Sequence, residues 1–310
     1  MRVFIYTDLD QSLQDELRAK LPVESDLTFK SNLSESEIHH AFKSAEVILG
    51  NPPPSWFKEP LPSLKFWQID SAGFNQYQHI KLDILIANMG DLFSQDCAET
   101  IIGGILAFYR GINHLIRFQI DKEWKAPMIR PSMESLGDKR VLILGSGTIG
   151  LAVRRALAGF GCQIKTTARN NPIADFHSFK ETIKALPETD LVINTLPGAA
   201  DHYVSKIFID AMRQGSVYAN IGRGNTTDED ALIAGLESGK LAGAVLDVTE
   251  KEPLPADNPL WGMKNVILTQ HTGGSGKEEV IGRVERFISN FYQFIRNERI
   301  DDRIELQAGY

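Results

Sequence analysis

Short runs of β-branched and aromatic residues alternate along this chain with longer segments whose apolar residues recur at helical spacing. This alternation is typical of βαβ units and a parallel sheet. In the first third, the runs that predict strands are residues 3–6, 47–49, 66–69 and 84–86. Residues 11–20 and 35–43 lie between them and predict helices, the second with Ser34 as its N-cap.

A second series of strands begins near residue 141. Its strand-like runs are residues 141–144, 163–167, 191–193, 216–219, 244–246 and 266–268. Between the two series, an apolar pattern that starts at Asp96 fits a mostly buried helix that could bridge domains or subunits; its apolar positions are Ile101, Ile102, Leu106, Phe108 and Ile112. A last helix is predicted over residues 277–297. The pattern therefore predicts an α/β protein made of two successive α/β series.

Composition and charge narrow the class of protein. With 310 residues, 43% of them hydrophobic, the chain is large enough for two domains. Its net charge of −7 argues against a nucleic-acid partner, because no basic stripe is available to neutralise phosphates. Two cysteines are too few for a disulfide framework or a cysteine-based metal site, and we predict no metal. The N-terminus lacks a signal-peptide pattern and no apolar stretch is long enough to span a bilayer, which predicts a cytoplasmic protein without a membrane partner.

A glycine-rich loop joins the first strand of the second series to a helical pattern. It reads G-S-G-T-I-G over residues 145–150, and its position between a strand and a helix gives the motif its meaning. Gly145 permits a tight turn, Gly147 permits close approach of a pyrophosphate, and Gly150 permits close packing of the helix on the strand. Backbone N–H groups at the helix start, including those of Thr148 and Ile149, would bind the phosphates. The loop therefore predicts a dinucleotide site.

The end of the next strand indicates which dinucleotide is preferred. Proteins that prefer NAD usually carry an acidic residue about 20 positions after the glycines, where it binds the ribose 2′-hydroxyl. Here Ala168 occupies that place and is followed by Arg169 and Asn170. A guanidinium can bind a 2′-phosphate through charge-assisted hydrogen bonds. We therefore predict that NADP(H) is preferred and that NAD(H) is possible; the alternative is that Arg169 is a solvated surface residue.

Three polar segments each open directly after a predicted strand of the second series. That edge of an open α/β sheet is where ligands bind. The segments contain Arg223, Glu252 and His271. An arginine between two glycines is difficult to explain as a packing residue. Glu250 competes with Glu252, because the residues alone do not separate a functional carboxylate from a solvated loop charge.

Together with the glycine loop, these segments resemble the D-isomer-specific 2-hydroxyacid dehydrogenase family, and the similarity covers essentially the whole chain. Residues 222–224 match the family's arginine segment, and residues 246–255 match its glutamate segment. The residues around His271 match its histidine segment, although Gln270 stands where a proline is usual. Four motifs in the same order make the resemblance specific.

The resemblance implies that Arg223, Glu252 and His271 are the catalytic residues, and its register selects Glu252 over Glu250. The chemistry asks for the same residue types. Hydride delivery to a carbonyl carbon leaves negative charge on oxygen, so a proton donor such as His271 must lie within hydrogen-bonding reach. Glu252 would hold the other imidazole nitrogen and favour the protonated ring. Arg223 would bind the substrate carboxylate and polarise the carbonyl group.

The resemblance also implies further contacts with substrate and cofactor. Residues 70–74 resemble the family's substrate loop, so the backbone N–H groups around Ala72 and Gly73 would meet the substrate carboxylate. Asn75 replaces the aspartate that is typical two residues after that glycine. The remaining cofactor contacts would come from Leu196, Pro197, Ile221, Gly222, Asp247 and Gly273.

The implied architecture is two Rossmann-like or flavodoxin-like parallel-sheet domains with an active-site cleft between them. Residues 1–97 and 276–310 would form the substrate-binding domain, and residues 98–275 the NAD(P)-binding domain. We expect a homodimer, with residues 96–118 as a candidate dimer arm. The expected activity is NADPH-dependent reduction of a small 2-oxo acid, such as glyoxylate or hydroxypyruvate, to the D-2-hydroxy acid. The alternative is a dinucleotide-sensing binding protein of the corepressor kind on the same scaffold.

Overall fold

Residues 1–308 are described by a computed structural model in which the chain divides into two compact units. The first unit contains Met1–Phe93 and the segment that begins at Gly276, and the second unit is Ser94–Ser275. The chain therefore passes from the first unit to the second after Phe93, four residues before the predicted boundary after residue 97. Assignment of the substrate to the first unit and of the cofactor to the second stays a prediction.

The first unit is a five-stranded parallel sheet in the order β2-β1-β3-β4-β5. Its strands are β1 (Arg2–Ile5), β2 (Asp26–Phe29), β3 (Val47–Leu49), β4 (Phe66–Gln68) and β5 (Leu85–Ala87). Its helices are α1 (Gln11–Lys20), α2 (Glu35–Ser44) and the last helix of the chain, α10 (Glu279–Ile295).

Each side of this sheet has its own hydrophobic core, because successive strand residues face opposite sides. Val3 and Ile5 belong to a core that includes apolar residues of α1 and α10. Phe4 belongs to the other core, together with Phe42 of α2 and Trp67 of β4. Helices therefore cover both sides of the sheet, and its strands carry nearly continuous apolar sequences.

The second unit is a six-stranded parallel sheet in the order β11-β10-β9-β8-β6-β7. Its strands are β6 (Arg140–Leu144), β7 (Gln163–Thr167), β8 (Leu191–Asn194), β9 (Ser216–Asn220), β10 (Leu241–Leu246) and β11 (Val266–Leu268). Its helices are α3 (Ser94–Tyr109), α4 (Ile112–Ile120), α5 (Ala126–Ile129), α6 (Thr148–Ala158), α7 (Phe179–Ala185), α8 (Lys206–Ala211) and α9 (Glu229–Glu237). Because the strands are parallel, their carboxyl ends share one edge of the sheet. The predicted α/β class with two parallel sheets is confirmed.

The single helix predicted from Asp96 through Ile112 was wrong at its end. The helix α3 ends at Tyr109, and Ile112 begins a separate helix, α4. Gly111 takes a left-handed φ of 64° between them, a conformation that glycine adopts without a steric penalty. The apolar pattern did not predict β2, because β2 is an edge strand in which only one of four residues is fully buried.

Within residues 1–308, no helix combines the length and the apolar character that crossing a membrane requires.

Candidate active site

His271 and Glu252 form a direct hydrogen bond. The distance from His271 Nδ1 to Glu252 Oε2 is 2.6 Å, and the second carboxylate oxygen of Glu252 accepts the backbone N–H of Thr249 at 3.0 Å. His271 Nε2 has no hydrogen-bond partner among residues 1–308, and about half of this side chain is exposed. The pair therefore orients an imidazole ring by one nitrogen and leaves the other nitrogen available to a ligand.

Glu250, the competing carboxylate, has other partners. Its Oε1 atom lies 3.4 Å from His202 Nε2, and its Oε2 atom accepts the backbone N–H of Glu229 at 3.4 Å. Glu252 is therefore the carboxylate that contacts His271. Glu250 instead contacts His202 and the first residue of α9, Glu229.

The backbone of the histidine loop is held in an unusual conformation. Gln270 and His271 both have left-handed φ values, 55° and 56°. A non-glycine residue there costs about 1–3 kcal/mol, so contacts from the surrounding structure must maintain the conformation. A proline at position 270 could not adopt this positive φ, whereas Gln270 does.

Asp247 at the end of β10 supplies those contacts. Its buried carboxylate accepts hydrogen bonds from the Thr269 hydroxyl at 2.5 Å and from the backbone N–H groups of Thr272 and Gly273 at 3.0 and 3.1 Å. Its backbone carbonyl accepts the N–H of His271 at 2.5 Å. Asp247 therefore fixes the loop that carries the imidazole, and its predicted contact with a cofactor stays a prediction.

Arg223 follows β9 and is half-buried. Its Nη1 atom donates to the carbonyl of Gly222 at 2.6 Å, and no carboxylate among residues 1–308 lies within 4.0 Å of its guanidinium. Burial lowers the pKa of Arg223, while the negative charges of Glu252 and Asp247 oppose that change. The side chain is therefore a partly desolvated cation without a carboxylate partner.

The glycines on either side of Arg223 allow three loops to pack closely. A Cβ atom at Gly222 would lie 2.5 Å from the carbonyl oxygen of Leu196, and one at Gly224 would overlap the carbonyl of Thr249. A Cβ atom at Gly273 would lie 2.3 Å from Ile221 Cδ1. The predicted cofactor residues Leu196, Ile221, Gly222 and Gly273 therefore come together at the carboxyl edge of the sheet, and Pro197 follows Leu196 there.

Two buried asparagines that the sequence analysis missed shape these loops. Asn194 ends β8, and its side-chain oxygen accepts the N–H of Leu196 at 2.9 Å. Asn220 ends the neighbouring strand β9, and its side-chain oxygen accepts the N–H of Gly222 at 2.9 Å. Both asparagines stand at the ends of predicted strands, and that position was the available signal.

Cys97 on α3 is influenced by the charges of Arg223 and Asp247. Burial raises the pKa of this thiol to about 12, and the charge of Asp247 acts in the same direction. The thiol is therefore protonated at neutral pH, so the geometry does not support a thiolate nucleophile here.

The glycine loop has the properties that a pyrophosphate requires. Gly145 has a left-handed φ of 102°, and a Cβ atom at Gly150 would lie 2.5 Å from the carbonyl oxygen of Gly145. A Cβ atom at Gly147 would meet nothing within 4 Å among the described residues. Gly147 is the N-cap of α6, and no side chain in residues 1–308 caps the helix there. The first N–H groups of α6, including those of Thr148 and Ile149, therefore have no capping side chain among residues 1–308, and a helix start of this kind fits an anionic group.

The end of β7 carries the residues predicted to select the dinucleotide. Arg169 and Asn170 are exposed, and within residues 1–308 no carboxylate lies within 4.0 Å of the Arg169 guanidinium. Asn171 donates to the Ser146 hydroxyl at 3.0 Å and so connects this loop to the glycine loop. His177 Nδ1 lies 2.9 Å from the carbonyl oxygen of Ala168. The sequence analysis assigned no role to either Asn171 or His177.

The predicted substrate loop follows β4 in the first unit. The backbone N–H groups of Ala72 and Gly73 have no acceptor among residues 1–308. Both residues are only partly buried. Two neighbouring free N–H groups form a suitable site for a carboxylate.

Most of the second unit matches a known protein family. The NAD binding domain of the D-isomer specific 2-hydroxyacid dehydrogenases matches residues 102–273, which is more than half of the chain. The chain belongs to the D-isomer-specific 2-hydroxyacid dehydrogenase family. Enzymes of this family are NAD(P)-dependent oxidoreductases that act on a CH–OH group.

Individual members of the family show the same relationship. Hydroxyphenylpyruvate reductase of Plectranthus scutellarioides is 31% identical over 244 residues, which cover 74% of this chain and 77% of that protein. Glyoxylate/hydroxypyruvate reductase B of Erwinia tasmaniensis is 29% identical over 301 residues, which cover 91% of this chain and 93% of that protein. The crystal structure of a D-isomer specific 2-hydroxyacid dehydrogenase family protein from Aeromonas salmonicida has a TM-score of 0.83 and 26% identity, and the alignment covers 98% of each chain.

Proposed function

We propose that this dehydrogenase reduces a small 2-oxo acid to its D-2-hydroxy acid with NADPH, and that glyoxylate and hydroxypyruvate are its best substrates. The observation that carries the proposal is the His271–Glu252 pair, in which Nδ1 is bonded at 2.6 Å and Nε2 has no partner among the described residues. Relatives named as glyoxylate/hydroxypyruvate reductases support the choice of substrate.

His271 acts as the proton donor. In the direction of reduction, protonated Nε2 gives its proton to the carbonyl oxygen as the C=O group becomes CH–OH, and the ring is left neutral. Glu252 keeps Nδ1 protonated and fixes the ring orientation. In the opposite direction the neutral ring accepts the hydroxyl proton.

Arg223 binds the substrate carboxylate and draws electron density from the carbonyl oxygen. Its planar guanidinium can make two parallel hydrogen bonds to a carboxylate, which fixes orientation as well as affinity. The missing carboxylate partner within residues 1–308 supports this role, because a half-buried cation gains most from an anionic ligand. The N–H groups of Ala72 and Gly73 are further donors of the kind a substrate carboxylate needs.

The glycine loop and the neighbouring strand-end loops hold the dinucleotide, which supplies the hydride when it is bound. The free N–H groups at the start of α6 bind its pyrophosphate, and Gly147 leaves the space for it. Arg169 and Asn170 bind the 2′-phosphate of NADP(H). The absence of an acidic residue at position 168 supports this preference, since a carboxylate there would repel a phosphate.

We also propose a homodimer whose interface includes α4 and the residues after it. Ile112, Ile116 and Ile120 are spaced four residues apart on one face of α4 and are 42–73% exposed. Trp124 and Met128 continue the series and are 95% and 72% exposed. We call these five residues the α4 stripe. A group of large exposed apolar residues close together in the sequence is typical of an association surface.

The function is tested by following NADPH absorbance with glyoxylate, hydroxypyruvate, pyruvate and branched or aromatic 2-oxo acids. We expect turnover, with the highest kcat/KM for glyoxylate or hydroxypyruvate. If no 2-oxo acid is reduced while NADPH still binds, the proposal is wrong and a dinucleotide-sensing protein becomes the better interpretation.

The proton donor is tested with His271→Ala. Loss of the donor removes a contribution of about 10²- to 10⁴-fold, so kcat falls by that factor while the Kd for NADPH stays nearly constant. His202→Ala is the matched control, because His202 also has a left-handed φ and contacts a loop glutamate. Retained kcat in His271→Ala would show that another group donates the proton.

A further inference from the structure

The carbonyl groups of the substrate loop have defined partners. The carbonyl oxygen of Ser71 accepts the backbone N–H of Met89 at 3.2 Å. The carbonyl oxygen of Ala72 accepts Asn88 Nδ2 at 2.7 Å. Asn88 and Met89 directly follow β5, and β5 is the neighbour of β4 in the sheet. Two successive peptide groups are thus held by the loop at the end of the adjacent strand.

The planarity of the peptide bond explains why the next two N–H groups are free. In a trans peptide the C=O bond of one residue and the N–H bond of the next point in opposite directions. Because the carbonyl of Ala72 points toward Asn88, the N–H of Gly73 points away from it. In the same way, the bond from Met89 to the Ser71 carbonyl directs the N–H of Ala72 away from β5.

The amide of Asn88 can donate to Ala72 in only one orientation, and the structure fixes that orientation. Asn88 is buried, and its Oδ1 atom accepts the N–H of Gly90 at 3.0 Å. Its backbone carbonyl accepts a hydrogen bond from Gln68 Nε2 at 2.6 Å. Its backbone N–H donates to the backbone carbonyl of Asp302 at 3.1 Å. A rotation of the amide by 180° would place Nδ2 against the Gly90 N–H and Oδ1 against the Ala72 carbonyl, so it would lose both bonds.

We propose that Asn88 is a positioning residue that sets substrate affinity by directing the Gly73 N–H toward the substrate carboxylate. The proposal rests on the proposed function, because it takes the carboxylate of a 2-oxo acid as the ligand of this loop. Asn88 acts through the peptide between Ala72 and Gly73, whose carbonyl oxygen accepts the hydrogen bond from its side chain.

The sharpest test is Asn88→Asp, which preserves the shape of the side chain and the bond from Gly90. A carboxylate oxygen then faces the Ala72 carbonyl in place of a donor, so the peptide between Ala72 and Gly73 is no longer held in its orientation. We expect KM for glyoxylate and Ki for oxamate to rise together by about 10- to 100-fold, the value of one hydrogen bond to a charged group. The kcat value and the Kd for NADPH change by less than about twofold. Asn88→Ala removes the donor without adding repulsion, and its effect on KM is smaller.

Asn290→Ala is the matched control for lost packing. Asn290 is a buried asparagine of the same unit, and its Nδ2 atom donates to Gln68 Oε1 at 2.7 Å and to the Asp301 carbonyl at 3.2 Å. It has no hydrogen bond to the substrate loop within residues 1–308, and its connection to Asn88 runs only through Gln68 to the Asn88 backbone carbonyl, not to the Asn88 amide. The control should lower the thermal midpoint without raising KM or Ki. A merely structural role for Asn88 would give the same pattern in its own variants.

The outcomes separate the two proposals. Absence of turnover in the unmodified enzyme contradicts the proposed function. Turnover with unchanged KM and Ki in Asn88→Asp overturns the positioning role alone. If Asn88→Asp does not fold, Asn88→Ala decides the question by the same two constants.

Discussion

Glu250 and Glu252 are two residues apart and have different partners. Glu252 bonds to His271 at 2.6 Å, whereas Glu250 lies beside His202 and the start of α9. The difference arises because the segment after β10 passes between the loops that follow β9 and β11. Residue type and sequence position alone therefore do not assign a catalytic role in this segment.

At the same scale, Arg169 should determine the preference between the two dinucleotides. Arg169→Ala removes the cation that would bind the 2′-phosphate, so kcat/KM for NADPH should fall by about 10- to 100-fold while that for NADH changes little. Arg155→Ala, an exposed arginine in the last turn of α6, is the control and should leave the ratio unchanged. A ratio that stays constant in Arg169→Ala would mean that Arg169 is a solvated surface residue.

At the scale of the element, the histidine loop depends on its neighbour strand. β10 and β11 are adjacent and parallel, so the loop after β11 lies against the residue that ends β10. Asp247 occupies that position and holds three donors of the histidine loop with its carboxylate. The carboxylate of Asp247 and its backbone carbonyl, which accepts the His271 N–H, together help to maintain the left-handed backbone of Gln270 and His271.

We therefore expect Asp247→Ala to affect both stability and catalysis. The buried N–H of Gly273 and the partly buried N–H of Thr272 lose their acceptor, which should lower the free energy of unfolding by about 1–3 kcal/mol in urea titrations. The His271 ring is then no longer fixed, so kcat should fall by about 10-fold or more. Asp247 is also a predicted cofactor residue, so the Kd for NADPH is measured in parallel.

Asp190→Ala provides the control for that experiment. Asp190 is also buried in the second unit, where its carboxylate binds Arg140 and Arg213 at the start of β6 and β9 rather than at their carboxyl ends. The Asp190→Ala variant should show a similar decrease in the free energy of unfolding, and its kcat should be unchanged. Equal losses of kcat in the two variants would contradict a specific role for Asp247.

At the scale of the whole molecule, each unit is a complete parallel sheet with its own cores. Gly111 separates the buried helix α3 from α4, whose exposed face carries the first residues of the α4 stripe. The division of one apolar pattern into a buried helix and an exposed one is informative. The apolar pattern was sufficient to predict helical structure. In the folded unit, however, the apolar face of α4 is not covered by other described residues of the chain.

The α4 stripe should therefore control the oligomeric state. Introducing Ile116→Glu and Ile120→Glu together places two charges on the surface and should convert a dimer into a monomer in sedimentation or light-scattering measurements. Ile207→Glu is the control, because Ile207 on α8 is 68% exposed and lies outside the stripe. An unmodified chain that is monomeric at micromolar concentration would contradict the proposed dimer.

The amino-acid sequence by itself determined most of what depends on neighbouring residues. Apolar runs located nearly all the strands, and β7 and β11 have the predicted bounds. The glycine loop was predicted in its place between a strand and a helix, because turn chemistry and helix starts are set within a few residues. The family motifs gave the positions of Arg223, Glu252 and His271.

Only the tertiary structure decided which groups meet across loops. The contact of Glu250 with His202, the hydrogen bonds from the histidine loop to Asp247 and the direction of the Gly73 N–H all join segments that are distant in sequence. Such hydrogen bonds depend on which strands are neighbours in the sheet and on which way each peptide faces. The local sequence pattern does not specify which strands are neighbours, because the order of strands in the sheet differs from their order in the sequence. It also does not specify the direction of a peptide group, because a peptide can rotate without any change in residue type.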